Sequence, residues 1–150
     1  MTSACLDQTL RTWCVSHPEG LPDLFIDRSL GRIKVPTILR AEGLRLITLA
    51  ERYGIPDDES VTDVQWLTDA GQNGEVVFMK DERIRYNEAE KAAVKRFFVK
   101  CFCLSRGGLK AAEMADYFRS NLPAIVRACE VEGPLIAIVY RDSIRRVALD

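Results

Sequence analysis

From Leu21 onward, short apolar runs bounded by polar breaks alternate with longer stretches of helical periodicity. Leu24-Phe25-Ile26 reads as a strand buried on both faces, because three consecutive apolar residues leave no side for solvent. Residues 29–42 place Ile33, Ile38 and Leu39 inward on a helix that Pro36 should delay or kink and Gly43 should close. Residues 44–49 predict the second strand, and residues 53–60, with Gly54, Pro56 and two aspartates, predict a polar loop. Thr62-Asp63-Val64-Gln65 has the form of a capping box, so a helix should start there and run to about Gly71. Residues 75–79 predict a third strand, Glu88–Phe97 a helix, and residues 99–104 a fourth strand. Residues 109–119 carry Met114, Tyr117 and Phe118 on one helical stripe, and Asn121-Leu122-Pro123 restarts a helix through Cys129. Residues 135–140 form the last expected strand. Strands alternating with helices in this way predict an α/β fold, a three-layer α/β/α sandwich on a mainly parallel sheet. Residues 1–20 stand apart as an N-terminal accessory segment, with Leu6, Leu10 and Trp13 at helical spacing and a break at Ser16-His17-Pro18-Glu19-Gly20. Residues 21–150 make up the domain.

Composition narrows the chemistry. The 150 residues are 47% hydrophobic and 29% charged, which suits one soluble domain with its own core. No apolar stretch approaches the roughly 20 residues of a membrane span. Asp7 and Arg11 interrupt any signal-peptide core, so a cytoplasmic location is expected, with no membrane partner. Five cysteines, an odd number, argue against a disulfide framework, and Cys101 and Cys103 lie two apart in a strand as small hydrophobes. His17 is the only histidine, and no phosphate-cradling glycine loop occurs. Histidine-based zinc sites and Ser-His-Asp or Cys-His catalysis therefore lack their parts. A net charge of −1 gives no global pull on nucleic acid, although Lys80, Arg83, Arg85, Lys91, Lys95 and Arg96 form a local basic stretch.

Three aspartates stand out against this background. Asp27 ends the first apolar run, Asp63 opens a helix, and Asp81 follows the apolar run Val76-Val77-Phe78-Met79. In a parallel α/β sheet all three approach the edge beyond the strand C-termini, where functional groups collect. Ionised carboxylates gathered there repel one another, and a hard divalent cation such as Mg²⁺ or Mn²⁺ supplies the compensating charge. Each acid also has a structural reading, Asp27 as an N-cap, Asp63 as a first-turn residue favoured by the helix dipole, and Asp81 as a turn former. Their coincidence on one edge favours the metal site. Arg28, Lys80, Arg83 and Arg85 are candidate contacts to phosphates, or simply solvated charges. Trp66 is a candidate base-stacking residue whose place in an amphipathic helix also suits the core.

The ordered set Phe25-Ile26-Asp27-Arg28-Ser29-Leu30-Gly31, Asp63-Val64-Gln65-Trp66-Leu67 and Lys80-Asp81-Glu82-Arg83-Ile84-Arg85 resembles the PIN-like domains of the VapC45 type, within the PIN ribonuclease superfamily. The likeness continues through Asn87-Glu88-Ala89-Glu90, Leu104-Ser105-Arg106-Gly107-Gly108-Leu109 and Ile138-Val139-Tyr140-Arg141-Asp142. The resemblance implies a Mg²⁺- or Mn²⁺-dependent ribonuclease, the toxin of a toxin–antitoxin pair, with RNA as substrate and a cognate antitoxin as partner. It leaves room for a homodimer. The family's acids carry over to Asp27, Asp63 and Asp81. Two departures stand against the pattern. A fourth acid has only Asp58, Glu59 and Glu82 as weak candidates, and Met79 stands where a hydroxyl residue is often found two positions before the third acid. The alternative reading is a catalytically weak PIN-like domain acting as a binding or regulatory module.

Overall fold

The computed structural model describes residues 16–80 and 82–149, Glu82 by its backbone only. The expected helix around Leu6, Leu10 and Trp13, and the third aspartate, Asp81, lie outside the described residues. The sheet has six strands in the order β2-β1-β3-β4-β5-β6, formed by β1 (Leu24–Ile26), β2 (Leu46–Thr48), β3 (Val76–Met79), β4 (Lys100–Leu104), β5 (Leu135–Val139) and β6 (Ile144–Val147). The first five are parallel, and β6 runs antiparallel to β5 at the edge.

Alternation along each central strand divides the core in two. Leu24, Ile26, Val76, Phe78, Phe102 and Leu104 point to one face, under α1 (Lys34–Ala41), α5 (Ala111–Ser120) and α6 (Leu122–Cys129). Phe25, Val77, Met79, Cys101 and Cys103 point to the other, under α2 (Leu49–Tyr53), α3 (Asp63–Gln72) and α4 (Glu88–Phe97). This is the expected α/β/α sandwich, and strands buried on both faces explain the continuous apolar runs. Cys101 and Cys103 are buried thiols packed in the core, as the spacing predicts.

Four local expectations need correction, the first being Ile33, which precedes the helix and is 72% exposed where the periodicity turns it inward. Pro36 occupies the third position of α1, so the helix begins only at Lys34 and a separate 3-10 turn, Arg28–Leu30, covers the start of the expected span. The second strand ends at Thr48, whose hydroxyl accepts from the Glu51 amide while the Glu51 carboxylate accepts from the Thr48 amide. That reciprocal cap starts α2 where the residues read as strand end and loop. Residues 135–140 are not the last strand, because Ile144–Val147 returns along β5 with Val139 opposite Ile144.

The connections create the crevice. β1 leads through α1, on one face, to β2; β3 leads through α4, on the opposite face, to β4. The chain therefore diverges beyond the C-termini of the adjacent strands β1 and β3, which is where open α/β sheets bind ligands. Gly71 lets α3 approach α4 closely, since a Cβ there would lie 2.6 Å from the Phe97 Cβ. Among the described residues no helix is long and apolar enough to cross a membrane.

Candidate functional site

Asp27 leaves β1 directly into the divergent edge, and its amide extends the ladder by donating to the Phe78 carbonyl at 3.2 Å. Its side chain caps the following 3-10 turn, with Oδ2 accepting from the Ser29 amide at 3.2 Å and the Ser29 hydroxyl at 2.7 Å. The cap uses one oxygen only. Oδ1 is buried and has no hydrogen-bond partner among the described residues, on a residue only 4% exposed. An anionic oxygen left in that state is costly unless something cationic fills its coordination. Burial pushes the carboxyl above its ordinary range, the Ser29 bonds pull it back, and the charge of Asp63 pushes it up again. The two acids are thus electrostatic neighbours although 36 positions separate them in the chain.

Asp63 is the first residue of α3, which Thr62 caps by accepting from the Gln65 amide at 3.1 Å. Its Oδ1 accepts from the Trp66 indole N–H at 2.9 Å, which orients the carboxylate. Trp66 is fully buried and stacks on Phe25 with ring centroids 5.3 Å apart. Its ring belongs to the core, so it offers no platform for a base, and its polar edge serves Asp63 instead.

Ser29 joins this site to the neighbouring strand. While its hydroxyl donates to Asp27, its oxygen accepts from the Lys80 amide at 2.9 Å. One side chain therefore ties the first acid to the segment that follows β3. Beyond it, an open crevice of about 470 Å³ is lined by Asp63, Arg83, Tyr86, Asn87 and Glu90. The Arg85 guanidinium lies over the Tyr86 ring, 4.8 Å from its centroid. Arg28 is not among the residues that line this crevice, and it donates to the backbone carbonyls of Val61 at 2.5 Å and Glu59 at 3.4 Å.

Glu90 is the acid that reasoning from the sequence missed. It sits in the first turn of α4, where Asn87 caps the helix by accepting from the Glu90 amide at 2.9 Å. The Asn-x-x-Glu spacing is a local signal for the helix start, but it says nothing of Glu90's position on the crevice. Burial pushes the Cys101 thiol upward, and the charges of Asp27 and Glu90 add to that in the same direction. Of the weak fourth candidates, Asp58 is buried and its Oδ2 pairs with Arg32 at 2.8 Å. Glu59 is largely exposed, 3.5 Å from the same arginine. Among the described residues no three of His, Cys, Asp or Glu form a group able to hold a metal ion. Two acids in electrostatic contact, one with an unfilled buried oxygen, remain, beside the segment that carries Asp81.

Residues 22–106 match a family model described as a PIN-like domain. The chain is 38% identical over 127 residues to a Mycobacterium tuberculosis protein named "Putative ribonuclease VapC45", a match that covers 85% of this chain and 92% of that protein. No solved structure matches the chain significantly. A family model that spans more than half of the residues, and a relative alike over nearly its full length, agree with the parallel sheet and its acidic edge, and the chain belongs to the PIN-like domain family.

Proposed function

We propose that the protein is a divalent-metal-dependent endoribonuclease, the toxin of a toxin–antitoxin pair, with Asp27, Asp63 and Asp81 as the acids that hold Mg²⁺ or Mn²⁺. The carrying observation is the buried, unpartnered Asp27 Oδ1 with the Asp63 charge beside it. A hard cation takes carboxylate oxygens, and this one meets no competing donor among the described residues. The ribonuclease named among its relatives supports RNA as the substrate and an antitoxin as the partner.

Each residue then has a task. Ser29 holds one oxygen of Asp27 and leaves the other available, and Trp66 aims Asp63. Glu90, on the rim of the same crevice, is the fourth acid. Lys80, Arg83 and Arg85 supply positive charge after β3 and hold the phosphates on either side of the scissile bond. The bound metal would activate a water and stabilise charge developing on the phosphate. The protein acts in the cytoplasm.

The buried thioether of Met79, where a hydroxyl would add a polar group, favours the second reading, a catalytically weak module that binds RNA or a partner. One experiment separates the two. RNA cleavage by the purified protein should need added Mg²⁺ or Mn²⁺, stop in EDTA, and disappear in Asp81→Asn. Equal trace cleavage by wild type and Asp81→Asn would be contamination, and the binding module would be the better reading.

A further inference from the structure

The turn after β1 grips a distant segment through two arginines. Arg32 pairs with the Asp58 carboxylate, with Nε at 3.1 Å and Nη2 at 2.8 Å from Oδ2, which neutralises a buried acid. Arg28, four positions earlier, meets no carboxylate among the described residues. Its guanidinium donates to the Glu59 and Val61 carbonyls, which are 31 and 33 residues away in the chain. Val61 immediately precedes Thr62, the N-cap of α3, and Asp63 follows. A bonded path between the first two acids therefore runs from Asp27 to Arg28, across the hydrogen bond to Val61, and on through Thr62 to Asp63.

We infer that Arg28 is a positioning residue, a latch that sets the separation of the Asp27 and Asp63 carboxylates by holding the lead-in to α3 against the β1 turn. The part of this inference that concerns metal rests on reading those carboxylates as the metal site. The chemistry suits the task. Two like charges on neighbouring segments push apart, and a bond between the segments opposes that motion. The Glu59 and Val61 carbonyls take separate nitrogens, Nη1 and Nη2, of one planar guanidinium fork, a fixed pair of donors that a lysine ammonium does not offer. A phosphate-binding arginine would instead present its donors to the crevice, and Arg28 spends two of them on the backbone.

The test compares wild type, Arg28→Ala and Arg28→Lys by three measurements. In metal-free protein, amide hydrogen exchange over residues 61–66 should rise about tenfold in Arg28→Ala, the loss expected for a charged hydrogen bond at the surface. The affinity for Mn²⁺ alone should fall about tenfold, with Arg28→Lys restoring only part of it. Binding to a single-stranded RNA oligonucleotide in EDTA should keep its salt dependence, because no phosphate contact is removed. Unchanged exchange in Arg28→Ala would overturn the latch. So would an unchanged Mn²⁺ affinity together with a salt slope reduced by about one, the signature of a phosphate contact. If wild type binds no Mn²⁺, the metal-site reading fails by itself, and the exchange measurement still decides whether Arg28 is a latch.

Discussion

Replacing Asp27 by asparagine should stabilise the metal-free protein and destabilise it relative to wild type once Mn²⁺ is present. The carboxylate is buried, its Oδ1 lacks a donor among the described residues, and its pKa is raised by burial and by Asp63. A raised carboxyl pKa means that the folded state binds its proton more tightly than the unfolded chain does. Between the unfolded and folded values the native state carries more protons, so stability falls as pH rises through that window and stays low at pH 7. Removing a buried anion relieves a penalty of several kcal/mol. Asparagine places an amide N–H₂ or oxygen where Oδ1 now lies, and leaving it unbonded costs about 1–3 kcal/mol. The net gain expected at pH 7 in EDTA is about 1–2 kcal/mol, or roughly 2–8 °C in Tm for a domain of this size. Lowering the pH toward the ordinary aspartate range should erase the difference, because wild type is then protonated too. Saturating Mn²⁺ should reverse the order, since ligand at about one hundred times its Kd adds about 2.7 kcal/mol to wild type alone. Urea unfolding at several pH values, with EDTA or Mn²⁺, measures all of this. A variant less stable than wild type in EDTA at pH 7, or a difference that ignores pH, would refute the reasoning.

Trp66→Phe keeps the ring stacked on Phe25 but removes the donor to Asp63, so folding should survive while Mn²⁺ affinity, read by calorimetry, drops about tenfold. Gly71→Ala should cost about 1–3 kcal/mol in urea unfolding, because its Cβ would meet the Phe97 Cβ at 2.6 Å and the Phe97 carbonyl oxygen at 2.7 Å. Arg83→Ala and Arg85→Ala should each weaken RNA binding and reduce its salt slope by about one, with Mn²⁺ affinity unchanged. Asn121→Ala should cost about 2 kcal/mol by the same unfolding assay, since the buried amide bonds the Tyr117 carbonyl at 2.8 Å and the Tyr140 carbonyl at 2.7 Å.

The sandwich itself was legible in the chain because its causes are local. Apolar runs such as Val76–Met79 can only be strands covered on both faces, and caps at Thr62 and Asn87 mark helix starts with chemistry found within four residues. The same locality explains why Asp27 could be singled out, as a carboxylate at the end of a buried strand. The Thr48-x-x-Glu51 box was equally local, and it was hidden only because the strand read past it. β6 was not legible. Ile-Arg-Arg-Val does not alternate, and such a short edge strand forms only because β5 offers a free row of hydrogen bonds. Tertiary structure alone decided which polar groups meet. Arginines at positions 28 and 85 look alike in sequence, yet one reaches carbonyls more than thirty residues away and the other lies over Tyr86. Glu90 joined the crevice because α4 packs beside β3, and Trp66 became a donor to Asp63 because its ring was already held by Phe25. Periodicity and capping act over one or two turns, and the composition of this site depends on contacts that close only when the sheet has formed.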